Sequence, residues 1–203
     1  MNLQNKTIQN KEILIDNSSI FNTIGTDVIL KNCTVRCFVP ANSLGIRGTL
    51  IDTTIIIEKK FTNFSWLEAN LEACKFIGTL DNNQFGTKQK GVGSAKGCDF
   101  SEAKIDDCLF FGEDSSSHIF PLWPNFTILN PKENLADLHK VMDKDEIIED
   151  IVDSIEFFDK ELGAITFDAK QLAKELGVKT DEIKKSIASF HFIKYESCEG
   201  SNL

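Results

Sequence analysis

Residues 98–112 read CDFSEAKIDDCLFFG, a stretch that divides into the five-residue units CDFSE, AKIDD and CLFFG. Each unit begins with a small side chain and carries a large apolar side chain at its third position. Neither the helical period nor the two-fold alternation of a strand produces this spacing. A period of five arises when four short faces close one coil of a solenoid, so that small and large side chains both point inward. The stretch therefore predicts a backbone that winds in stacked coils.

These units resemble the repeats of the pentapeptide-repeat family, and similar units recur at 69–78 as ANLEA and CKFIG. The resemblance implies a right-handed β-helix in which equivalent residues of successive coils lie about 20 positions apart. The interval from Ile51 to Leu71 matches this period, and so does the interval from Ile56 to Phe76. The spacing therefore favours stacked coils, and a β-sandwich of short strands is the alternative.

A longer interval separates the next matching positions, and it is the same from Leu71 to Ile105 as from Phe76 to Phe110. We interpret it as one coil plus a loop insertion, which we assign to 79–97. The aligned coils predict one inward stack of small residues and one set of large residues. The small stack comprises Cys33, Thr54, Cys74 and Cys108, and the large set comprises Leu71, Phe76, Phe100, Ile105 and Phe110.

The first coil is less regular than the others. Residues 1–11 are polar and are predicted to form a lead-in strand or a cap over this coil. The interval from Ile15 to Leu30 is shorter than one coil, and the interval from Ile20 to Val35 is equally short. The short step predicts a first coil that lacks one face.

The predicted fold class is mainly β: a right-handed β-helix solenoid of about five coils at 1–112, followed by a small α-helical C-terminal domain at 133–203. Aromatic side chains lie among prolines in the segment 113–132 that joins the two. They are Phe120, Trp123 and Phe126. This composition suits a cap over the open end of the solenoid, and an exposed aromatic patch that binds a partner is the alternative.

Apolar residues at helical spacing predict two helices in the C-terminal domain, at about 133–142 and 144–162. Residues 166–187 resemble a helix-turn-helix, with Gly177 in the turn. Residues 191–196 are predicted to form a short strand that packs back on the helices. The C-terminal domain is therefore predicted to be helix-turn-helix-like.

Acidic residues outnumber basic ones, with 31 Asp and Glu against 22 Lys and Arg and a net charge of −9. The segment 131–203 is more acidic still, since its Asp and Glu residues clearly outnumber its lysines. This balance disfavours a nucleic-acid backbone as the partner and favours a basic protein surface. No apolar run is long enough to span a membrane, and the start lacks the apolar core of a signal peptide. We therefore predict a cytoplasmic protein of bacterial type.

Cysteines occupy small inward positions of the predicted coils at Cys33, Cys74, Cys98 and Cys108, where a thiol acts as a compact apolar filler. A disulfide between stacked coils is conceivable, but free thiols are expected in a reducing compartment. Cys33 and Cys37 have no second pair or histidine nearby, so no zinc site is predicted.

The three histidines, His118, His139 and His191, lie in separate predicted elements, without the spacing of a catalytic triad or a metal site. The run GVGSAKG at 91–97 lacks the complete phosphate-binding motif and a following helix. We therefore predict a protein that is not an enzyme, with no catalytic residue, cofactor or metal.

The leading functional prediction is a non-catalytic protein-binding solenoid, an immunity-like or inhibitor protein whose acidic surface binds a basic protein. The alternatives are a DNA-binding regulator that uses the helix-turn-helix-like module and a DNA-mimicking topoisomerase protector. The loop at 79–97 is either a recognition loop or a solvated excursion, and the oligomeric state stays open. The predicted partner-binding residues are Glu68, Glu72, Lys88, Lys90, Asp106, Asp107, Asp181 and Glu182.

Overall fold

A computed structural model describes residues 1–86, 93–158 and 161–196 of the chain; within these ranges, only the backbone of 113 and 114 is described. It shows a β-solenoid of about five turns, followed by a region that contains four α-helices. The predicted fold class, mainly β with a solenoid of about five coils and a small helical C-terminal part, is confirmed.

The solenoid is built from fifteen strands within the described residues. They are β1 (Asn2–Leu3), β2 (Lys6–Gln9), β3 (Glu12–Ile15), β4 (Asn22–Ile24), β5 (Val28–Lys31), β6 (Thr34–Cys37), β7 (Leu44–Ile46), β8 (Thr49–Ile51), β9 (Thr54–Thr62), β10 (Asn70–Glu72), β11 (Lys75–Asp81), β12 (Gln84–Gly86), β13 (Ser94–Lys96), β14 (Asp99–Asp106) and β15 (Leu109–Phe111).

Three parallel sheets run along the solenoid, with strand orders β1-β4-β7, β13-β10-β8-β5-β2 and β14-β11-β9-β6-β3. The second sheet shows the repeat most simply. Its inward side chains pair from turn to turn as Ile8, Leu30, Leu50, Leu71 and Ala95, and the last of these intervals is the longest. The repeat of about 20 positions is therefore present, although its register differs by one position at several places from the predicted one.

The predicted long step across 79–97 is wrong. Lys75 pairs with Asp99 and Leu80 pairs with Ile105, so successive turns here are only slightly longer than the earlier ones. Phe110 lies over Phe85, which the prediction had placed in a loop. The predicted interval between these turns was too long because 79–97 is not simply a loop outside the coil. This range contributes the end of β11 and all of β12 and β13.

The predicted stack of Cys33, Thr54, Cys74 and Cys108 is also corrected. The observed column contains Cys33, Thr53, Cys74 and Cys98, one from each of four successive turns, and then His118 from the segment after the last turn. Thr53 is buried whereas Thr54 faces outward, because a shift of one position along a strand moves a side chain to the opposite face.

Cys108 lies in a separate column between Asn83 and Thr166. The Leu109 amide donates to the Asn83 carbonyl at 2.8 Å, and the Cys108 amide donates to Thr166 Oγ1 at 3.2 Å. The large residues Leu71, Phe76, Phe100, Ile105 and Phe110 are all buried, but they occupy several columns.

The first turn is complete, contrary to the prediction of a missing face. Residues 1–11 form β1 and β2, which pair with β4 and β5 of the next turn. Ile15 lies opposite Cys37, a whole turn later, so the predicted short step from Ile15 to Leu30 is wrong. Ile20 is 98% exposed and lies outside the core.

Turn residues suited to positive φ form the corner between the second and third sheets. Asn10, Asn32, Asp52 and Ala73 occupy this corner in successive turns with positive φ angles, such as 53° at Asn10 and 49° at Asn32. The Asn32 side-chain amide donates to Asn10 Oδ1 at 2.6 Å, which links two turns. Asn and Asp tolerate this backbone region better than other residues with side chains, so the corners are encoded locally.

The chain continues after the solenoid through β16 (Asn125–Leu129), α1 (Pro131–Met142), α2 (Glu146–Glu156), β17 (Leu162–Asp168), α3 (Ala169–Leu176), α4 (Thr180–Ile187) and β18 (Ile193–Lys194). These strands extend the solenoid sideways in the order β12-β15-β17-β16-β18, with antiparallel pairing from β15 onward. The C-terminal region is thus joined to the last turn by a shared sheet.

The aromatic segment 113–132 closes the end of the solenoid in part. Phe120 packs on Phe110, with ring centroids 5.0 Å apart, and His118 also packs against this pair. Phe126 is fully buried in β16 against Phe167, whereas Trp123 is half-buried at the surface. None of the helices in the described ranges has the length and apolarity needed to cross a bilayer.

Candidate functional site

Three aspartates meet at one corner of the last two turns of the solenoid. Asp81 ends β11 and Asp106 ends β14, and the two residues are paired across the parallel ladder. Asp107 follows at the corner with φ of 48°. The three side chains each offer an oxygen within 4.8 Å of the others. Their proximity follows directly from the register of β11 and β14.

Residues from β9 and from the C-terminal region complete a pocket around these aspartates. Lys60 on β9 forms an ion pair with Asp81 at 2.6 Å. The carboxylate of Asp168, at the end of β17, lies 3.8 Å from the Lys104 ammonium. We call this cavity of about 380 Å³ the acidic pocket; its charged lining is Asp81, Asp106, Asp107, Asp168, Glu175, Lys60 and Lys104.

Asp168 holds the pocket wall in place through its backbone and its side chain. Its amide donates to Asp106 Oδ1 at 2.7 Å, and its carboxylate accepts from the Lys170 amide at the start of α3 at 2.8 Å. A carboxylate at this position satisfies a free helical amide and complements the helix dipole. The bonds fix the first turn of α3 against the end of β14.

The pocket changes the acidity of two aspartates. Burial raises the pKa of Asp106 to about 6, and the nearby carboxylates of Asp107, Asp168 and Asp81 also raise it, against the lowering effect of the hydrogen bond from the Asp168 amide. Burial likewise raises the pKa of Asp107, and repulsion from Asp81 adds to the effect. Carboxylates that repel one another at partial burial gain from a cation placed between them.

We expect Asp106→Asn to raise the melting temperature at pH 8 and to have no effect near pH 4. Because the folded-state pKa of Asp106 lies above its ordinary value, ionisation destabilises the fold as pH rises through about 6. Asparagine keeps the acceptor for the Asp168 amide without the charge. Thermal unfolding at pH 4, 6 and 8 measures the effect.

Glu72→Gln is the matched control, since it removes one carboxylate that lies exposed on β10. An equal gain from this control at pH 8, or a gain from Asp106→Asn that persists at pH 4, would contradict the assignment.

A second depression adjoins the acidic pocket and shares Thr79 and Lys104 with it. Pro121, Leu122 and Trp123 line its other side, and we call it the apolar groove. Leu122 is 50% exposed. The two depressions together place carboxylates beside exposed apolar surface.

Trp123 is positioned by residues near the end of the chain. The Lys184 ammonium on α4 lies 5.5 Å from the Trp123 ring centroid and 5.8 Å from that of Tyr195. Lys184 also pairs with Glu196 at 2.7 Å. This lysine is therefore engaged within the protein and does not extend freely from the helix.

Among the predicted partner-binding residues that the structure describes, only Asp106 and Asp107 line the acidic pocket. Glu68 pairs with Arg47, and Glu72 is exposed on the second sheet. Lys88 and Lys90 lie outside the described residues. Asp181 and Glu182 are exposed in the first turn of α4, where Glu182 accepts from the Lys179 amide at 3.2 Å. The six of these residues that lie within the described ranges are not brought into one site.

Sequence reasoning missed Lys60, Asp81, Asp168 and Glu175. The interval between Asp81 and Asp106 identifies Asp81 only when the true step between these turns is known. Asp168 and Glu175 approach through β17 and α3, and no local pattern in the sequence shows that contact.

The protein is a β-solenoid whose last turn continues into an antiparallel sheet, and helices pack on this sheet. Comparison of the chain with protein-family models, curated proteins and solved structures gives no match. The acidic pocket and the apolar groove therefore carry the functional argument.

Proposed function

We propose that this protein is a non-catalytic binding protein that receives a basic segment of another protein in the acidic pocket. The single observation that carries the proposal is the convergence of five carboxylates with two lysines in the lining of one cavity. A net charge of −9 adds long-range attraction for a basic partner.

The chemistry of the pocket fits the side chain of arginine or lysine. The oxygens of Asp81, Asp106 and Asp107 are close enough for one cationic group to contact all three. A guanidinium group can satisfy several acceptors at once and stays charged at every physiological pH. The apolar groove beside Lys104 suits an apolar side chain of the same segment.

The pocket is preorganised for such a ligand. Asp81 and Asp106 extend from the ends of paired strands, and Asp106 is held by the Asp168 amide. Little conformational freedom is lost when a ligand binds to side chains that are already fixed. This fixed acidic site supports an inhibitor or immunity-like role, in which the protein blocks a basic surface of its target.

Kinship with pentapeptide-repeat proteins and a cytoplasmic location form part of the same proposal. The five-residue units at 69–78 and 98–112 and the stacked turns support the kinship. A DNA-mimicking protector would use the same acidic surface against a basic DNA-binding enzyme. A DNA-reading role is less favoured, since α4 exposes Asp181 and Glu182 and commits Lys184 to Glu196.

The test compares two variants that remove the same charge. One carries Asp81→Asn, Asp106→Asn and Asp107→Asn, and the control carries Glu72→Gln, Glu149→Gln and Asp181→Asn at exposed positions. The probe is an N-acetylated, C-amidated Gly-Arg-Leu-Arg-Gly peptide, with a citrulline analogue as its neutral control. Titration calorimetry at low and at physiological salt gives the affinities.

We expect the pocket variant to bind the arginine peptide at least about tenfold more weakly than the unchanged protein does, because that is the effect of losing one close charge pair. The control variant should lose less than about twofold. Equal losses in both variants would show diffuse attraction and overturn the proposal. Tight, sequence-specific binding of a DNA duplex at physiological salt would replace it with the regulator role.

A second candidate is an acid–base hydrolase, favoured by carboxylates that converge with Lys60 and Lys104 in one cavity. The raised pKa of Asp106, about 6, suits a general acid beside an ionised carboxylate. Release of reducing ends from a panel of oligosaccharides, abolished by Asp106→Asn alone, would establish this candidate in place of binding.

A further inference from the structure

Two cysteines are vertical neighbours in the buried column of the solenoid. The Asp99 amide donates to the Cys74 carbonyl at 2.8 Å, and Lys75 pairs with Asp99 in the ladder. Cys74 and Cys98 therefore hold equivalent places in adjacent turns. Neighbouring strands lie about 4.8 Å apart, which falls within the Cα separations that disulfides span.

The thiols of this pair are directed along the column. The Cys98 sulfur lies 3.9 Å from the Leu71 carbonyl oxygen of the preceding turn, and the Cys74 sulfur lies 3.2 Å from the Leu50 carbonyl oxygen. The pKa of Cys98 is lowered, first because the Cys74 thiol donates to it and also because of His118. The pKa of Cys74 is raised, because it is the donor of that bond and is buried.

His118 occupies the next place in the column. Its Nδ1 accepts from the Cys98 amide at 3.0 Å, and its side chain is almost buried between Phe100 and Phe110. The thiolate is the reactive form in disulfide exchange. We therefore assign Cys98 as the attacking thiol and Cys74, its neighbour in the adjacent turn, as the resolving thiol.

Other cysteines in the described ranges lack such a neighbour in their columns. Cys33 lies beside Thr53, and Cys108 lies between Asn83 and Thr166. Cys37 lies opposite Ile15 and Ile57. These cysteines provide internal controls for a reaction that requires two adjacent thiols.

We propose that Cys74 and Cys98 form a redox-responsive pair that closes to a disulfide on exchange with a small disulfide oxidant such as oxidised glutathione. The bond would join the two turns that carry Asp81 and Asp106, yet the proposal does not depend on the binding role of the acidic pocket.

Thiol–disulfide exchange with oxidised glutathione takes place in two steps. The Cys98 thiolate attacks one sulfur of oxidised glutathione, and a mixed disulfide forms as one glutathione thiolate leaves. The Cys74 thiolate then attacks the Cys98 sulfur, and the second glutathione thiolate leaves. The protein loses two electrons, glutathione disulfide gains them, and the two thiol protons pass to the released glutathione.

The experiment refolds the full chain in glutathione buffers of increasing oxidised fraction, because the native thiols of the pair are buried. Cys198 lies outside the described residues and is replaced by serine in every variant. Alkylation and peptide mapping identify the bonded cysteines, and thermal unfolding follows the product. Cys98→Ser and Cys108→Ser are compared in parallel.

We expect one internal disulfide, between Cys74 and Cys98, and a melting temperature raised by roughly 5–10 °C, since the bond closes a loop of moderate length. Cys108→Ser should retain both effects, and Cys98→Ser should lose both. Full alkylation of all thiols in the most oxidising buffer, a stable mixed disulfide at Cys98, or pairing with another cysteine would overturn the proposal.

Discussion

Phe85→Ala should lower the free energy of unfolding by about 3–5 kcal/mol, the range for removing a buried aromatic ring. Phe85 is fully buried and stacks between Trp66 and Phe110, with ring centroids 5.7 and 4.9 Å away. The edges of Phe76 and Phe100 approach it, with centroids 5.4 and 5.1 Å away. These neighbours belong to different turns, so the cavity would weaken stacking in both directions.

Urea denaturation followed by tryptophan fluorescence measures this effect, because Trp66 lies in the same cluster. Phe157→Ala is the control, since Phe157 is 90% exposed after α2. Its removal should change stability by less than about 0.5 kcal/mol. A loss below about 1 kcal/mol for Phe85→Ala would mean that the aromatic column is not packed as described.

Gly78→Ala should destabilise the protein by about 3–5 kcal/mol, through two effects that add. Gly78 has φ of +120°, a conformation that side-chain-bearing residues rarely adopt, so an added methyl group strains the backbone. That methyl group would also lie 2.3 Å from the Ile57 carbonyl oxygen on the neighbouring turn. Because the obstructing atom belongs to the backbone, the turns themselves would have to separate.

Gly97→Ala is a milder comparison, because only the backbone conformation opposes an added methyl group there. Gly97 has φ of +59°, but a methyl group there would meet no atom within 4 Å. Ala73 already adopts a φ of 49° at the equivalent corner of the preceding turn, so a loss of about 1 kcal/mol is expected. A loss for Gly78→Ala no larger than the loss for Gly97→Ala in urea denaturation would contradict the close approach of the turns at Gly78.

The solenoid was predictable because its period comes from geometry that every turn repeats. Inward apolar residues at intervals of one coil are visible without any knowledge of contacts. The step between the last two turns was not predictable in the same way, because this turn is extended: Lys75 pairs with Asp99 and Leu80 pairs with Ile105, at intervals longer than those of the earlier turns. Five-residue units alone do not report such an extension.

Helices α1 and α2 were predicted more closely than strand β17, which follows α2. The predicted helices at 133–142 and 144–162 correspond to α1 and α2, although the second ends at Glu156. β17 was missed because all seven of its residues are buried. A strand covered on both faces shows no alternation of polar and apolar residues. Its first residue, Leu162, was assigned to the helix at 144–162, and its last three residues were assigned to the start of the helix-turn-helix.

The central aspartate group was anticipated only in part. Asp106 and Asp107 lie within the units that revealed the solenoid. Asp168 and Glu175 reach the pocket only because β17 pairs with β15 and brings α3 to the last turn. The Asp168 amide and Asp106 are 62 positions apart in the chain. Their contact therefore depends on the tertiary fold and cannot be found from a local pattern in the sequence.

Equivalent corners recur once in every turn, so each complete turn adds the same length to the solenoid. Residues 22–43 comprise one whole turn, and without them β7, β8 and β9 would meet β1, β2 and β3 in the same order that β4, β5 and β6 do now. Loss or duplication of such a unit would move the amino-terminal end by about 4.8 Å relative to the carboxylates at the other end. The distance between the amino-terminal end and the acidic pocket can therefore change in evolution without a change in the pocket itself, through loss or duplication of gene segments that encode complete turns.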